Sequence, residues 1–169
     1  MNMQYKFNKN DEYYTPEYAV YPIMEKLKAG STVWCPFDTY ESNYVKVLSK
    51  NGFNVIHTHI FDGQDFFSQE IPECDYIISN PPYSLKGEVF SRLYDIGKPF
   101  AMLINAQGIF DHRERFELFK SHRVEMLWLS PRVNYIKQSG LNPSGVPFQS
   151  CYICSGILEK ELEFSYLNK

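Results

Sequence analysis

Four consecutive residues, Asn80-Pro81-Pro82-Tyr83, carry the groups in this sequence best suited to chemistry. Asn80 offers an amide oxygen as acceptor and an NH2 as donor. Pro81 adds a backbone carbonyl with no N–H beside it, and Tyr83 a flat aromatic face. Two acceptors held close together take both hydrogens of a single NH2 group, while the ring stacks on the base that bears it. An exocyclic amine such as that of adenine is a poor nucleophile, because its lone pair is delocalised into the ring. Acceptors that draw its hydrogens out of the ring plane return electron density to nitrogen, a form of electrostatic preorganisation that needs no strong base. The plain alternative is a strand followed by a proline turn.

The element that must position these groups lies just ahead of them. Tyr76, Ile77 and Ile78 form a short β-rich run of the kind that becomes a buried strand. Pro81 and Pro82 end it, since neither donates to a sheet ladder, and Pro82 biases residue 81 to an extended conformation. The expected product is a stiff tip at the carboxyl end of a strand. With that strand ahead of it, the tetrapeptide resembles the catalytic motif of S-adenosylmethionine (AdoMet)-dependent amino-methyltransferases, above all small DNA adenine-N6 enzymes of phage and mobile-element type. The resemblance implies that Asn80, Pro81, Pro82 and Tyr83 are catalytic and that Asn80 also faces the cofactor.

Composition agrees with a soluble globular chain. The 169 residues are 44% apolar and 22% charged, with net charge −3, the size of one domain with a single good core. No apolar run is long enough to span a membrane, and the polar start of the chain is not a secretory leader. The expectation is a single cytoplasmic domain with a flexible tip at 1–10. Cys151 and Cys154 lie three apart on an apparent strand, where side chains face opposite ways; with no second pair, buried thiols rather than zinc are expected. Charge is uneven: residues 86–140 carry 9 basic and 6 acidic side chains. This basic stretch follows the proline motif, where a nucleic-acid backbone would pass; a solvated mixed surface is the other reading.

The stretch before the tip supplies the cofactor candidates. Thr15-Pro16-Glu17 reads as a helix start, with Thr at the cap, for a helix running to about Lys28 that packs through Val20, Ile23, Met24 and Leu27. In the resembled family a Tyr-Thr-Pro segment here lines the methionine end of AdoMet, which implicates Tyr14 and Thr15. The first strand, from Ser31 to Cys35, runs into Pro36-Phe37-Asp38, the usual cofactor position in an α/β sheet. Pro36 and Phe37 match the family pattern, which has an acid where Cys35 stands, and glycines that this loop lacks; Asp38 lies nearby. A helix follows from about Tyr44 to Lys50, then a second strand from Gly52 to Ile60. For the ribose hydroxyls the resemblance leaves His59 or Asp62, and Asp62-Gly63 also reads as a turn. Asp65-Phe66 resembles the segment that binds the cofactor's adenine; a helix cap with a core aromatic is the equal alternative.

Beyond the tip, an amphipathic helix is expected over Lys86 to Ile96, ended by Gly97. A strand from Phe100 to Asn105 and a helix from Arg113 to Ser121 follow, the latter with Phe116, Leu118 and Phe119 inward. Strands are expected at Val124 to Leu129, Ser150 to Ile157 and Leu162 to Leu167. Alternating strands and helices indicate a mostly parallel sheet with helices on both faces. With the resemblance, this becomes a Rossmann-like AdoMet methyltransferase fold with an antiparallel C-terminal end. The connection 131–147 is long for a compact domain and reads as a substrate loop or as a disordered hairpin loop; it holds Arg132, Asn134, Tyr135, Lys137, Gln138, Gly140 and Gly145. The implied activity is methyl transfer from AdoMet to adenine N6 in DNA. Alternatives are an RNA adenine, a protein glutamine amide, or a non-catalytic module that kept the fold. No separate recognition domain is visible, so target choice is expected from loops, a homodimer or a partner protein.

Overall fold

The computed structural model describes residues 13–137 and 145–169; the expected tip at 1–10 and positions 138–144 of the long connection fall outside them. Seven strands form one sheet: β1 (Thr32–Cys35), β2 (Asn54–His57), β3 (Tyr76–Ser79), β4 (Phe100–Asn105), β5 (Glu125–Ser130), β6 (Ser150–Ser155) and β7 (Leu162–Tyr166). Their order is β2-β1-β3-β4-β6-β5-β7. β1 to β4 pair in parallel, with Val33 opposite Val55 and Ile78 opposite Ala101. β6 runs antiparallel to both β4 and β5, and β7 pairs parallel with β5. The architecture is Rossmann-like α/β, as expected.

Strand alternation divides the core in two. Val33, Cys35, Ile78, Ala101, Leu103, Tyr152 and Cys154 face one side, covered by α1 (Tyr21–Met24) and α2 (Asn43–Lys50). Trp34, Ile77, Phe100, Met102, Cys151 and Ile153 face the other, covered by α3 (Lys86–Ile96) and α4 (Arg113–Lys120). Cys151 and Cys154 therefore lie on opposite faces, both buried. Among the described residues no helix is long and apolar enough to cross a membrane.

Four expectations are corrected. The helix expected from Thr15 to Lys28 is broken into a 3-10 turn at Glu17–Ala19 and the one-turn α1. Pro22 is the cause: it has no N–H for the Tyr18 carbonyl and is tolerated only in a first turn. Thr15 is not the cap; Pro16 holds that position, without a side-chain cap bond. The second strand is shorter than expected, ending at His57 before a 3-10 turn at Ile60–Asp62. Phe116 is half exposed rather than inward, and Phe119 alone of its helix is fully packed. β7 forms the last edge strand, on β5 rather than beside β6.

The physical reason for the placement of β7 is Glu125. Its carboxylate, fully buried at the start of β5, accepts from the backbone N–H of Gly156 (2.9 Å), Ile157 (3.0 Å) and Leu158 (2.8 Å). Arg123 Nε donates to the same group at 2.5 Å. Charge-assisted bonds of this kind are about twice as strong as neutral ones. They pull the chain leaving β6 across the mouth of β5, so β7 lands on the outer edge of β5.

Candidate active site

The loops that follow β1, β2 and β3 meet at the carboxyl ends of these strands. The chain goes from β1 outward to β2, then returns to β3 on the other side of β1. Such a reversal leaves a crevice above the strand ends, the usual ligand position in an open α/β sheet. Here it is a cavity of about 590 Å³, within the size range of small-molecule sites.

The structure brings almost every sequence-predicted residue to this cavity. Its lining includes Tyr14, Thr15, Pro36, Phe37, Asp38, His59, Asp65, Phe66, Asn80, Pro81, Pro82 and Tyr83. Asp62 does not line it; the residue is exposed on the 3-10 turn that Gly63 closes in a left-handed conformation. Of the two ribose candidates, only His59 reaches the cavity, its Nδ1 accepting from the Phe61 N–H. Cys35, at the position where the resembled pattern has an acid, is fully buried in the core, and burial pushes its thiol well up.

Asn80 is oriented by its own hydrogen bond. Its Nδ2 donates to the Tyr13 carbonyl at 3.1 Å, while its Oδ1 is buried with no hydrogen-bond partner. One N–H of the amide is thus engaged, and the acceptor oxygen is left unpartnered on a residue that, with Pro81, lines the cavity. A buried acceptor without a partner costs about 1–3 kcal/mol, which a bound N–H would recover. Thr15 Oγ1 is a second buried, unpartnered polar atom in the lining. Tyr83 stacks on Tyr13, with ring centroids 6.0 Å apart and planes inclined by 23°, and meets Phe148 edge-on at 5.8 Å. Burial pushes its hydroxyl well above the ordinary range, with Tyr135 beside it.

Asp38 joins the cofactor-side loop to the tip. Ser79 Oγ donates to its Oδ2 at 2.5 Å, and Ser42 Oγ donates to its Oδ1. Ser42 in turn caps α2 by accepting from the Tyr44 N–H. Because Ser79 immediately precedes Asn80, the carboxylate pins the end of β3 to the start of α2. Burial pushes the Asp38 carboxyl up to about 6, against the opposing bonds from Ser42 and Ser79 and the nearby His57.

The remaining pieces are held from outside. Asp65 accepts from the Phe67 N–H at 3.0 Å, so it caps its own turn as well as lining the cavity. Arg92 on α3 donates to the Phe66 carbonyl at 2.7 Å and to that of Gln69 at 3.2 Å. It therefore fixes the segment after β2 to the helix after the tip. Tyr14 and Ile136 exchange backbone hydrogen bonds of 2.9 and 3.0 Å, which brings Ile136 into the lining. The described start of the long connection is packed, not free: Val133 and Tyr135 are buried, and the Asn134 N–H donates to Tyr18 Oη at 2.8 Å. Gln138 and Gly140 lie outside the described residues.

Sequence reasoning missed Tyr13, Ser42 and Ser79. Ser42 carried a signal, as a cap residue at a helix start; Tyr13 and Ser79 matter only through contacts distant in sequence.

No protein-family model matches the chain. Among solved structures, a precorrin-6y C5,15-methyltransferase from Geobacter metallireducens GS-15 aligns with TM-score 0.49 and 13% identity, over 90% of this chain and 97% of that one. A modification subunit of a putative type I restriction enzyme from Vibrio vulnificus YJ016 aligns with TM-score 0.48 and 13% identity, over 88% and 45%. In sequence, the chain is 29% identical over 163 residues to Type II methyltransferase M.MpnI of Mycoplasma pneumoniae, covering 75% of this chain. It spans about half of that relative's length, 49%. The chain thus resembles a curated methyltransferase along most of its own length.

Proposed function

We propose that the protein transfers a methyl group from AdoMet to the exocyclic N6 amine of adenine in DNA. The observation that carries this reading is Asn80: its NH2 donates to the Tyr13 carbonyl, and its oxygen is left unpartnered on a residue that lines the cavity with Pro81. Paired acceptors suit an amine that needs polarising ahead of its attack. Similarity to a type II methyltransferase supports the same class.

The residues present fit the cofactor. The cavity stands at the strand ends where nucleotide-like ligands bind, and it carries an unpartnered Thr15 hydroxyl and the Phe37 and Phe66 rings. Tyr14, Thr15, Pro36, Phe37, Asp38, His59, Asp65, Phe66 and Asn80 would hold it. AdoMet supplies an electrophilic methyl group on a positively charged sulfur. The protein holds the target amine still: Asn80 Oδ1 and the Pro81 carbonyl accept its two hydrogens, and Pro82 stiffens the corner. A base inside a duplex cannot reach this corner, so it must be flipped out, at a cost of a few kcal/mol. Stacking on Tyr83 returns about 1–3 kcal/mol, with the base taking the place of Tyr13 on that ring.

Incubation with methyl-labelled AdoMet and, separately, DNA, RNA and protein tests the reading. The expected product is N6-methyladenine in DNA. Label in RNA adenine or a glutamine amide moves the substrate class, and no label with retained AdoMet binding leaves a non-catalytic module.

A further inference from the structure

Two cations follow the catalytic tip in the chain, Lys86 on α3 and Arg115 on α4, and neither has a carboxylate within ion-pair distance among the described residues. Lys86, the first residue of α3, places its Nζ 5.8 Å from the centroid of the Tyr83 ring. Arg115, on α4, packs against the next residue of α3: its Cγ lies 3.7 Å from where a β-carbon on Gly87 would stand. Arg115 is fixed from behind, its Nε and Nη2 each donating at 3.0 Å to the carbonyls of Ile109 and Gly108. Those two bonds use part of a five-donor group and hold the rest in place. Burial, with Arg115 close by, draws the Lys86 ammonium below its ordinary range.

Half-buried like charges side by side are unfavourable without an anion between them. Structural use explains Arg115 in part, because it staples the 108–109 turn. It does not explain Lys86, whose Nζ lies over the face of Tyr83. Resting on the reading that a nucleic-acid base enters the cavity, we infer that Lys86 and Arg115 form a phosphate clamp for the backbone of the nucleotide whose base stacks on Tyr83. A base drawn into the cavity leaves its phosphates at the rim, and bidentate guanidinium with a point-charge ammonium suits a phosphodiester. Such contacts position the strand and carry no sequence information.

The test is binding, not turnover. Fluorescence anisotropy of the full chain with a labelled, mixed-sequence DNA duplex, without AdoMet, is followed from about 50 to about 200 mM salt. Lys86→Gln and Arg115→Gln are each expected to weaken binding several-fold at low salt and to reduce the log–log salt slope by about 1. Arg115→Lys keeps the charge and is expected to keep the slope; Lys50→Gln, at the exposed end of α2, is a control expected to change nothing. An unchanged slope in Lys86→Gln, with wild-type binding intact, overturns the clamp and leaves the methyltransferase reading standing. No salt-dependent DNA binding by the wild type overturns the clamp and the DNA substrate together, while the AdoMet and glutamine-amide assays still judge the chemistry.

Discussion

Replacing Asn80 with alanine is expected to lower kcat for methyl transfer by at least about 100-fold, the scale seen when one preorganised hydrogen-bonding group is removed from a developing charge. The side chain supplies one of the two acceptors on the target amine, and alanine puts no acceptor in its place. Cofactor affinity is expected to fall only a little, because the cavity walls from Tyr14, Pro36 and Asp65 are untouched. Calorimetric titration with AdoMet and single-turnover kinetics separate the two effects. A variant that methylates at near wild-type rate would refute the role assigned to Asn80.

Asp38→Asn is expected to uncouple stability from activity. The folded-state carboxyl sits near pH 6 and its ordinary value is 3.8, so the native state holds the proton more tightly than the unfolded chain. The contribution of Asp38 to stability is therefore greatest below the ordinary value and is lost as pH rises toward about 6. That loss is about 3 kcal/mol, from about 1.4 kcal/mol per pH unit. The uncharged asparagine escapes it. Urea midpoints measured from pH 4 to pH 7 should move in favour of the variant across this window and run parallel above it. Its kcat should nonetheless fall, since an amide cannot accept from both Ser42 and Ser79, and the loss of wild-type activity expected below about pH 6, as Asp38 gains its proton, should be absent from the variant. Parallel stability curves throughout would show that the buried charge does not titrate in this range.

What was legible in the sequence was what is local. The stop imposed by Pro81 and Pro82 is covalent geometry, and it put Asn80 at a strand end without reference to the rest of the fold. The apolar spacing of α3 and its Gly97 stop gave that helix its observed bounds, and the dense run of β4 gave that strand. Illegible were arrangements decided by partners far away in the chain. The bond between Ser79 and Asp38 spans 41 positions and that between Asn80 and Tyr13 spans 67. The placement of β7 depends on Glu125 collecting three N–H groups from a turn about thirty residues later. Pro22 is a different kind of miss: the signal was local, but the stronger pattern of buried Val20, Ile23 and Leu27 concealed a break that leaves all three inside.

The central claim is that one cavity presents a methyl donor to the oxygen of Asn80. A crystal structure of the protein with AdoMet measures this directly. The adenosine is expected between the Pro36–Phe37 and Asp65–Phe66 loops, with the methyl-bearing sulfur on the side of the cavity lined by Asn80 and Pro81. A cofactor bound elsewhere, or one whose methyl group points away from Asn80, would contradict it.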